Sequence, residues 1–463
     1  MILRNLLNYI PAPFVRLFIF VAILIAVGLA HRPILNGWFQ VDDFLWLRLA
    51  DFRDVLHSFV ATWGHGVAYR PIMRISFYLD ALLFGWHGAQ WHAENLLIAA
   101  IDGYLLFVFA RRLGLCFIAA LAAACLFVAA PINVENIDWI SGRTGLLSLA
   151  ILLGATILWI DGWPDFSRKN LLRVAVLMVV GLATYEAGIV LPLVLAALAP
   201  WLKGAKGVSL RRQARPLLLL VAIEAAFWLV RSLLIGTAGA KVDVPMPSVW
   251  AALQENIPTY FNVLRVFWHK KAILALVFGI ALGTLHARFR LVVWTMLATS
   301  GVLVLPFLMA QGWGARFSFA MQAPLCIILV VPLAAIPGKM RYGYLLMIGG
   351  ILWDFGSISY HEAGEMAQAG RFDHIVIEKA ASIPAEPMDT LVFAGIPDVF
   401  AGRMAISTKF HDAMTAKTRR PGLTLREEDF NALPDRSEIE RTTQVRRFRF
   451  NPESQDFTEQ PRP

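Results

Sequence analysis

The sequence predicts an all-α polytopic membrane protein with a small α+β domain at its C-terminal end. Three observations predict it. Of 463 residues, 58% are hydrophobic and 16% charged, with a mean hydropathy of +0.60, against about half and about a quarter in ordinary soluble domains. Apolar runs near the roughly 20 residues that span a bilayer recur through the first 360 positions. Charge density then more than doubles, from 28 Lys/Arg and 16 Asp/Glu in residues 1–360 to 14 and 17 in residues 361–463. A soluble chain this apolar would expose aggregating patches, which argues against a soluble enzyme, a disordered chain or a nucleic-acid-binding domain. The net charge of +9 then reads as basic loops held against an anionic leaflet, with no nucleic-acid partner.

The apolar runs give eleven expected spans, at about 14–30, 90–110, 115–131, 144–160, 171–184, 187–202, 216–235, 272–287, 291–310, 320–337 and 342–360. The first looks like a signal peptide but has no small-residue cleavage site, so an uncleaved helix is expected. Stretches 72–86 and 249–268 are too interrupted by charge to cross and read as amphipathic helices on the membrane surface. Placing the N-terminus in the cytoplasm makes five basic loops cytoplasmic, the strongest being Lys203 through Arg215. An odd number of spans then puts the C-terminal domain outside. The expected divisions are a transmembrane domain over 1–360 with a long first outer loop at 31–89, a small domain over 361–450, and a disordered polar tail over 451–463. In the small domain, LVFAG and TTQVRRFRF read as strands, with a turn at Ile396–Asp398 and a helix through Phe410 and Met414. Cys116, Cys125 and Cys326 all lie in apolar runs and read as packing residues, neither disulfide-bonded nor metal-binding.

Polar groups in a lipid-facing protein are costly and tend to mark a site. Asp42 and Asp43 follow the first span. Paired carboxylates there suit a general base plus a metal ligand or orienting group, although Asp before an apolar helix also serves as an N-cap. Arg70 precedes Pro71 at a helix start, a place for a phosphate or for an interfacial lipid headgroup. His92, Asn95 and Asp102 fall on one helical stripe, where packing against a neighbouring helix is the reading preferred for Asp102. Glu224 and Arg231, seven apart, read as a structural ion pair. The densest polar cluster is PINVENIDWISGRTGLLS, with Glu135, Asp138 and Arg143, which suggests a re-entrant segment lining an aqueous cavity. Glu186 in TYEAG and Arg316 in GWGARFSF complete the outer set. Two similar halves, expected of many transporters, are not seen. Chemistry on an anionic lipid substrate at the outer surface fits this distribution.

With these segments in order, the chain resembles the C-type (GT-C) glycosyltransferase superfamily, in particular the protein O-mannosyltransferases, their transmembrane-TPR relatives and bacterial members. The resemblance covers roughly residues 10–360. It rests on Asp42-Asp43, Tyr69-Arg70-Pro71, His92 and Asn95 in an H-x-x-N helix, Pro131…Glu135…Trp139-Ile140-Ser141-Gly142-Arg143, Glu186, and Arg316 in R-F-S-F. The IPDVFAGRM stretch also looks like the C-terminal region of some bacterial members. It implies a polyprenyl-phosphate-linked sugar donor and inverting transfer on the non-cytoplasmic face of a bacterial plasma membrane. The acceptor would be a hydroxyl of a glycan, a lipid-linked glycan or a protein. Asp42 would be the base, with Asp43 the second carboxylate or the ligand of a divalent cation such as Mg or Mn. Arg70, Arg143 and Arg316 would hold the donor phosphate, while His92, Asn95, Glu135 and Glu186 support the cavity. The chain departs from the family pattern at Ala99 and Ala130, where His is common, at Gly145 in place of Asp, and at Tyr185 in place of Lys. These departures motivate the alternative of a non-catalytic translocase or assembly partner. An ion-coupled transporter using Asp102 and Glu224 is a third reading.

Overall fold

A computed structural model describes residues 12–461 apart from 49–51, 63–68, 236–248, 309–314, 385, 387–388, 407–409, 419–423, 434–436, 438 and 441–443. The end of the expected span at 309–310, the Gly-Trp-Gly run before Arg316 and the last two tail residues lie outside these.

All eleven expected spans are helical. In order, the membrane part contains α1 (Ala12–His31), the short α2 (Asp43–Arg48) and α3 (Phe52–His57), α4 (Pro71–Phe84), α5 (Gly88–Arg112), α6 (Phe117–Ala129) and α7 (Val134–Asp138). Then come α8 (Arg143–Gly162), α9 (Arg168–Thr184), α10 (Leu191–Ala197), α11 (Ala199–Lys206), α12 (Leu210–Ile235), α13 (Val249–Phe267), α14 (Lys270–Leu285), α15 (Arg290–Leu308), α16 (Phe319–Ala335) and α17 (Met340–Ser382). Seven helical stretches among the described residues are individually long and apolar enough to cross a membrane, or nine if two bent pairs each count as one span. One bent pair joins α6 to Pro131–Asp138 at 54°, so the polar cluster after the third span folds back as a short broken helix. The other turns α13 by 112° from α14, as a surface helix feeding a span would. The sequence dictates this centre: α16 is apolar apart from Gln322 and almost wholly buried, and alanines 119, 120, 123 and 124 let α6 approach its neighbours closely.

The compositional step at His361 is not a structural break. Helix α17 runs for 43 residues, about 65 Å at 1.5 Å per residue, twice a hydrocarbon core. Its first half packs in the bundle and its second half enters the C-terminal domain. Gly370 allows this, because a Cβ there would lie 2.7 Å from the backbone N of Trp38 in the first loop.

The C-terminal domain forms a four-stranded sheet in the order β4-β1-β5-β6. Strand β1 (Thr390–Ala394) pairs parallel with β4 (Thr424–Arg426) and β5 (Val445–Asn451). A small hairpin, β2 (Val399–Phe400) and β3 (Arg403–Met404), and helices α18 (Phe410–Thr418) and α19 (Glu427–Asn431) complete it. The tail expected to be disordered is corrected here. Asp456–Glu459 forms β6, antiparallel to β5, because Phe457 packs edge-on against Phe393 and near Phe450. Phe372, Val376, Phe393, Phe410 and Phe448 share one core with Trp38, Phe39, Phe44, Trp46 and Phe77. The first long loop and the C-terminal domain therefore lie on the same side of the bundle.

Candidate active site

Between the first loop, the broken helix after α6 and the segment before α16 lies a cavity of about 220 Å³. Asp42, Arg70, Trp139, Tyr185 and Arg316 all line it, so residues up to 274 positions apart in sequence meet. Asp42 is half-buried, and its carboxylate makes no hydrogen bond or ion pair among the described residues. The residue before it, Val41, has φ of 40°. A β-branched side chain in that region is strained, and the backbone is held so that Asp42 faces the cavity while Asp43 turns away.

Asp43 is a latch. It is 1% exposed and accepts hydrogen bonds from the Gln40 N–H at 2.9 Å, the Ser141 N–H at 2.8 Å and the Ser141 hydroxyl. Burial pushes its carboxyl up to about 7, opposed by the bonds from Ser141 and Gln40 and reinforced by the nearby Asp42. The latch ties the first loop to the Trp139–Arg143 motif. Gly142 closes that motif: a Cβ there would sit 2.6 Å from the Glu135 and Asn136 carbonyl oxygens. With its oxygens facing N–H and O–H donors, Asp43 is poorly placed as a metal ligand, and among the described residues no group of three or more His, Cys, Asp or Glu could hold a metal ion. These residues do not fit the divalent site expected around Asp43.

Arg70 and Glu186 come together as a forked pair, Nη2 to Oε2 at 2.9 Å and Nε to Oε2 at 3.1 Å. The Tyr69 N–H adds a bond to Glu186 at 3.3 Å. The Arg70 guanidinium also stacks 4.7 Å from the Tyr185 ring centre. Burial works against its charge, but Glu186, Tyr185 and Asp42 outweigh it and hold Arg70 above its ordinary value. Arg316 is the freer cation. Its guanidinium lies 5.3 Å from the Trp139 ring and 5.1 Å from the Phe317 ring, and its backbone N–H donates to Glu135 at 3.2 Å. Two cations and one carboxylate thus share a concave, aromatic-walled space. An adjoining groove continues from Asn136, Gly145, Tyr185 and Arg316 past Leu149, Leu152, Leu303 and Phe307, giving the polar cavity an apolar extension.

Arg143 does not reach the cavity, which corrects its expected role. It is fully buried and donates to Asn95 at 2.8 Å, Ser76 at 3.1 Å, the Trp91 carbonyl at 3.2 Å and Asp80, with its guanidinium 5.0 Å from the Phe77 ring. Four of its five N–H donors are thus taken inside the protein, and Glu94 also stands 3.5 Å from Nη1, so the guanidinium is held away from the cavity. Asn95 works as a clamp, its amide donating to the Trp139 carbonyl at 2.9 Å. His92 is buried behind it, near the Trp38 carbonyl at 3.4 Å, and does not line the cavity.

The expected Glu224–Arg231 pair does not form: Arg231 stacks instead on the Trp228 and Tyr69 rings at 4.8 and 5.7 Å. Asp102 is wholly buried, and neither of its oxygens has a hydrogen-bond partner among the described residues. A pair the sequence did not reveal joins His31, at the end of α1, to Asp138 at 2.9 Å, with the other His31 nitrogen on the Val128 carbonyl. It pins the broken helix to the first span. The only signal for it was that Asp138 belonged to the densest polar cluster.

No family model matches the chain, and no curated protein matches it either. Solved structures do. The oligosaccharyltransferase of Archaeoglobus fulgidus, in complex with Zn and sulfate, superposes with a TM-score of 0.56 and 13% identity, over 88% of this chain and 62% of that one. The chain thus spans less than two thirds of that relative. ArnT from Cupriavidus metallidurans bound to undecaprenyl phosphate gives 0.53 at 13% identity, over 95% of this chain and 93% of that one. The chain therefore shares the fold of these two membrane proteins. Neither of these two is an O-mannosyltransferase, the branch that the motifs suggest. On this fold, the departures at Gly145 and Tyr185 both fall on the cavity wall, whereas Ala99 and Ala130 are buried in the bundle.

Proposed function

We propose that the protein is an inverting glycosyltransferase that moves a sugar from a polyprenyl-phosphate-linked donor to an acceptor hydroxyl on the non-cytoplasmic face of the plasma membrane. The observation that carries this reading is the single cavity on which Asp42 faces Arg70 and Arg316, with an apolar groove leading from it. The undecaprenyl phosphate bound to ArnT, a neighbour of the same fold, supports a donor of that class.

The chemistry needs little else. A phosphate leaving group is a weak base, so no acid must protonate it; a base for the acceptor and cations for the departing phosphate suffice. Asp42 takes the proton of the acceptor hydroxyl as its oxygen attacks the anomeric carbon from the face opposite the phosphate. The bond from that carbon to the phosphate oxygen breaks, and polyprenyl phosphate leaves with the electron pair. Arg70 and Arg316 bind the negative charge it carries away. Glu186 orients Arg70, and the Asp43–Ser141 latch fixes the strained turn that aims Asp42. The prenyl chain follows the apolar groove toward the bilayer. Loss from surface glycans, lipid-linked glycans or glycoproteins of one defined sugar, seen by mass spectrometry in cells lacking the protein and not restored by the Asp42→Asn variant, would support this assignment. Restoration by Asp42→Asn would remove Asp42 as the base.

A further inference from the structure

A second charged concavity lies at the opposite end of the bundle. Helix α9 runs from Arg168 to Thr184, just before the cavity residue Tyr185, about 25 Å over its 17 residues. Helix α8 likewise runs about 30 Å from Arg143 to Gly162 over 20 residues. At these far ends is a cleft of about 280 Å³ on which Arg168, Arg212 and Arg215 converge. Its walls are Trp163 and Phe166, stacked at 4.8 Å, and Leu219. Lys206 fixes the wall by donating to the Trp163 carbonyl at 3.1 Å.

Little neutralises the three guanidiniums. Asp165 approaches Arg212 only to 3.9 Å and is itself 95% exposed, so the contact is worth little. Arg168 and Arg215 have no ion pair among the described residues. The cleft also borders an apolar outer surface, since Leu172, Leu218 and Leu219 next to it are 64%, 68% and 48% exposed. Cations at the end of an apolar helix surface match a molecule with an anionic head and hydrocarbon tails, and match a free inorganic anion less well.

We propose that this cleft binds the phosphate of an anionic phospholipid from the leaflet opposite the catalytic cavity. The guanidiniums take the phosphate oxygens, Trp163 and Phe166 cover the glycerol, and the acyl chains lie along the leucines of α12.

The test uses the full chain in nanodiscs of phosphatidylcholine containing phosphatidylglycerol, with retained lipid read by native mass spectrometry. Arg212→Gln with Arg215→Gln should weaken phosphatidylglycerol retention about thirtyfold, the expectation for two interfacial cations, and leave phosphatidylcholine unchanged. Arg173→Gln with Arg211→Gln removes two nearby cations that do not line the cleft and should change retention less than twofold. Equal losses in both double variants would overturn the proposal, since the effect would then be general surface charge. Displacement of phosphatidylglycerol by millimolar inorganic phosphate would also overturn it, marking a site for a free anion.

Discussion

Arg143 separates two accounts of the motif that contains it. The Arg143→Met variant keeps the apolar bulk against Phe77 but removes every donor. Asp80, 2% exposed, then loses its ion pair, and the Asn95 oxygen and Trp91 carbonyl lose their bonds. Breaking a buried pair by removing one partner costs about 3–5 kcal/mol, because the other charge stays buried. Replacing both partners with apolar groups is often near neutral. The Arg143→Met/Asp80→Leu double variant should therefore recover to within about 2 kcal/mol of wild type. The residual reflects the Asn95 and Trp91 acceptors. Thermal unfolding of purified protein in detergent, followed by size-exclusion chromatography, completes the double-mutant cycle over wild type, Arg143→Met, Asp80→Leu and the double variant. If Arg143→Met leaves the thermal midpoint unchanged, raises the apparent KM for the donor, and gains nothing from the second substitution, then Arg143 binds phosphate and its structural role is wrong.

Three other predictions follow from the same site. Glu186→Gln loosens the fork on Arg70 and should raise the donor KM about tenfold with a smaller change in kcat, measured by titrating the lipid-linked donor. Asp43, held up to about 7 mainly by burial, keeps its proton in the folded state where the unfolded chain has lost it. Its contribution to stability is therefore full below about pH 4 and is lost as pH rises toward 7. The stability difference between wild type and Asp43→Asn should narrow or reverse over that window and be flat above it, which thermal midpoints across pH will show. Phe457→Ser removes the side chain that seats β6 and should cost the C-terminal domain about 2 kcal/mol, with faster protease cleavage beyond Asn451 and no change in the membrane part.

The spans were legible because an apolar run of bilayer length is at home in little besides a bilayer core. The broken helix after α6 was legible because its polar residues could not sit in lipid. Asp42, Arg70 and Arg316 stood out for the same reason: charge beside apolar sequence is conspicuous. What the sequence hid was pairing at a distance. His31 and Asp138 are 107 residues apart, and no local pattern links them. Arg143 looked identical to a ligand-binding arginine, because only the surrounding Asp80, Ser76 and Asn95 reveal that its donors are used. Glu224 and Arg231 share a helical face, but the rings of Trp228 and Tyr69 capture the guanidinium. The charge step at His361 falls inside α17, whose helix continues unbroken from the bundle into the C-terminal domain. Strand β6 was missed because one phenylalanine in a polar stretch gives no period to read.

The central claim is that Asp42 is the base in a cavity whose cations receive a polyprenyl phosphate. It is tested most directly by incubating membranes that contain the protein and its native acceptors with a labelled polyprenyl-phosphate-linked sugar. The quantity followed is the released polyprenyl phosphate, for wild type and for Asp42→Asn protein at equal, correctly inserted amounts. The account predicts release by wild type and a fall of about 10²–10⁴ in Asp42→Asn, with an unchanged thermal midpoint. Release by Asp42→Asn within twofold of wild type would contradict it.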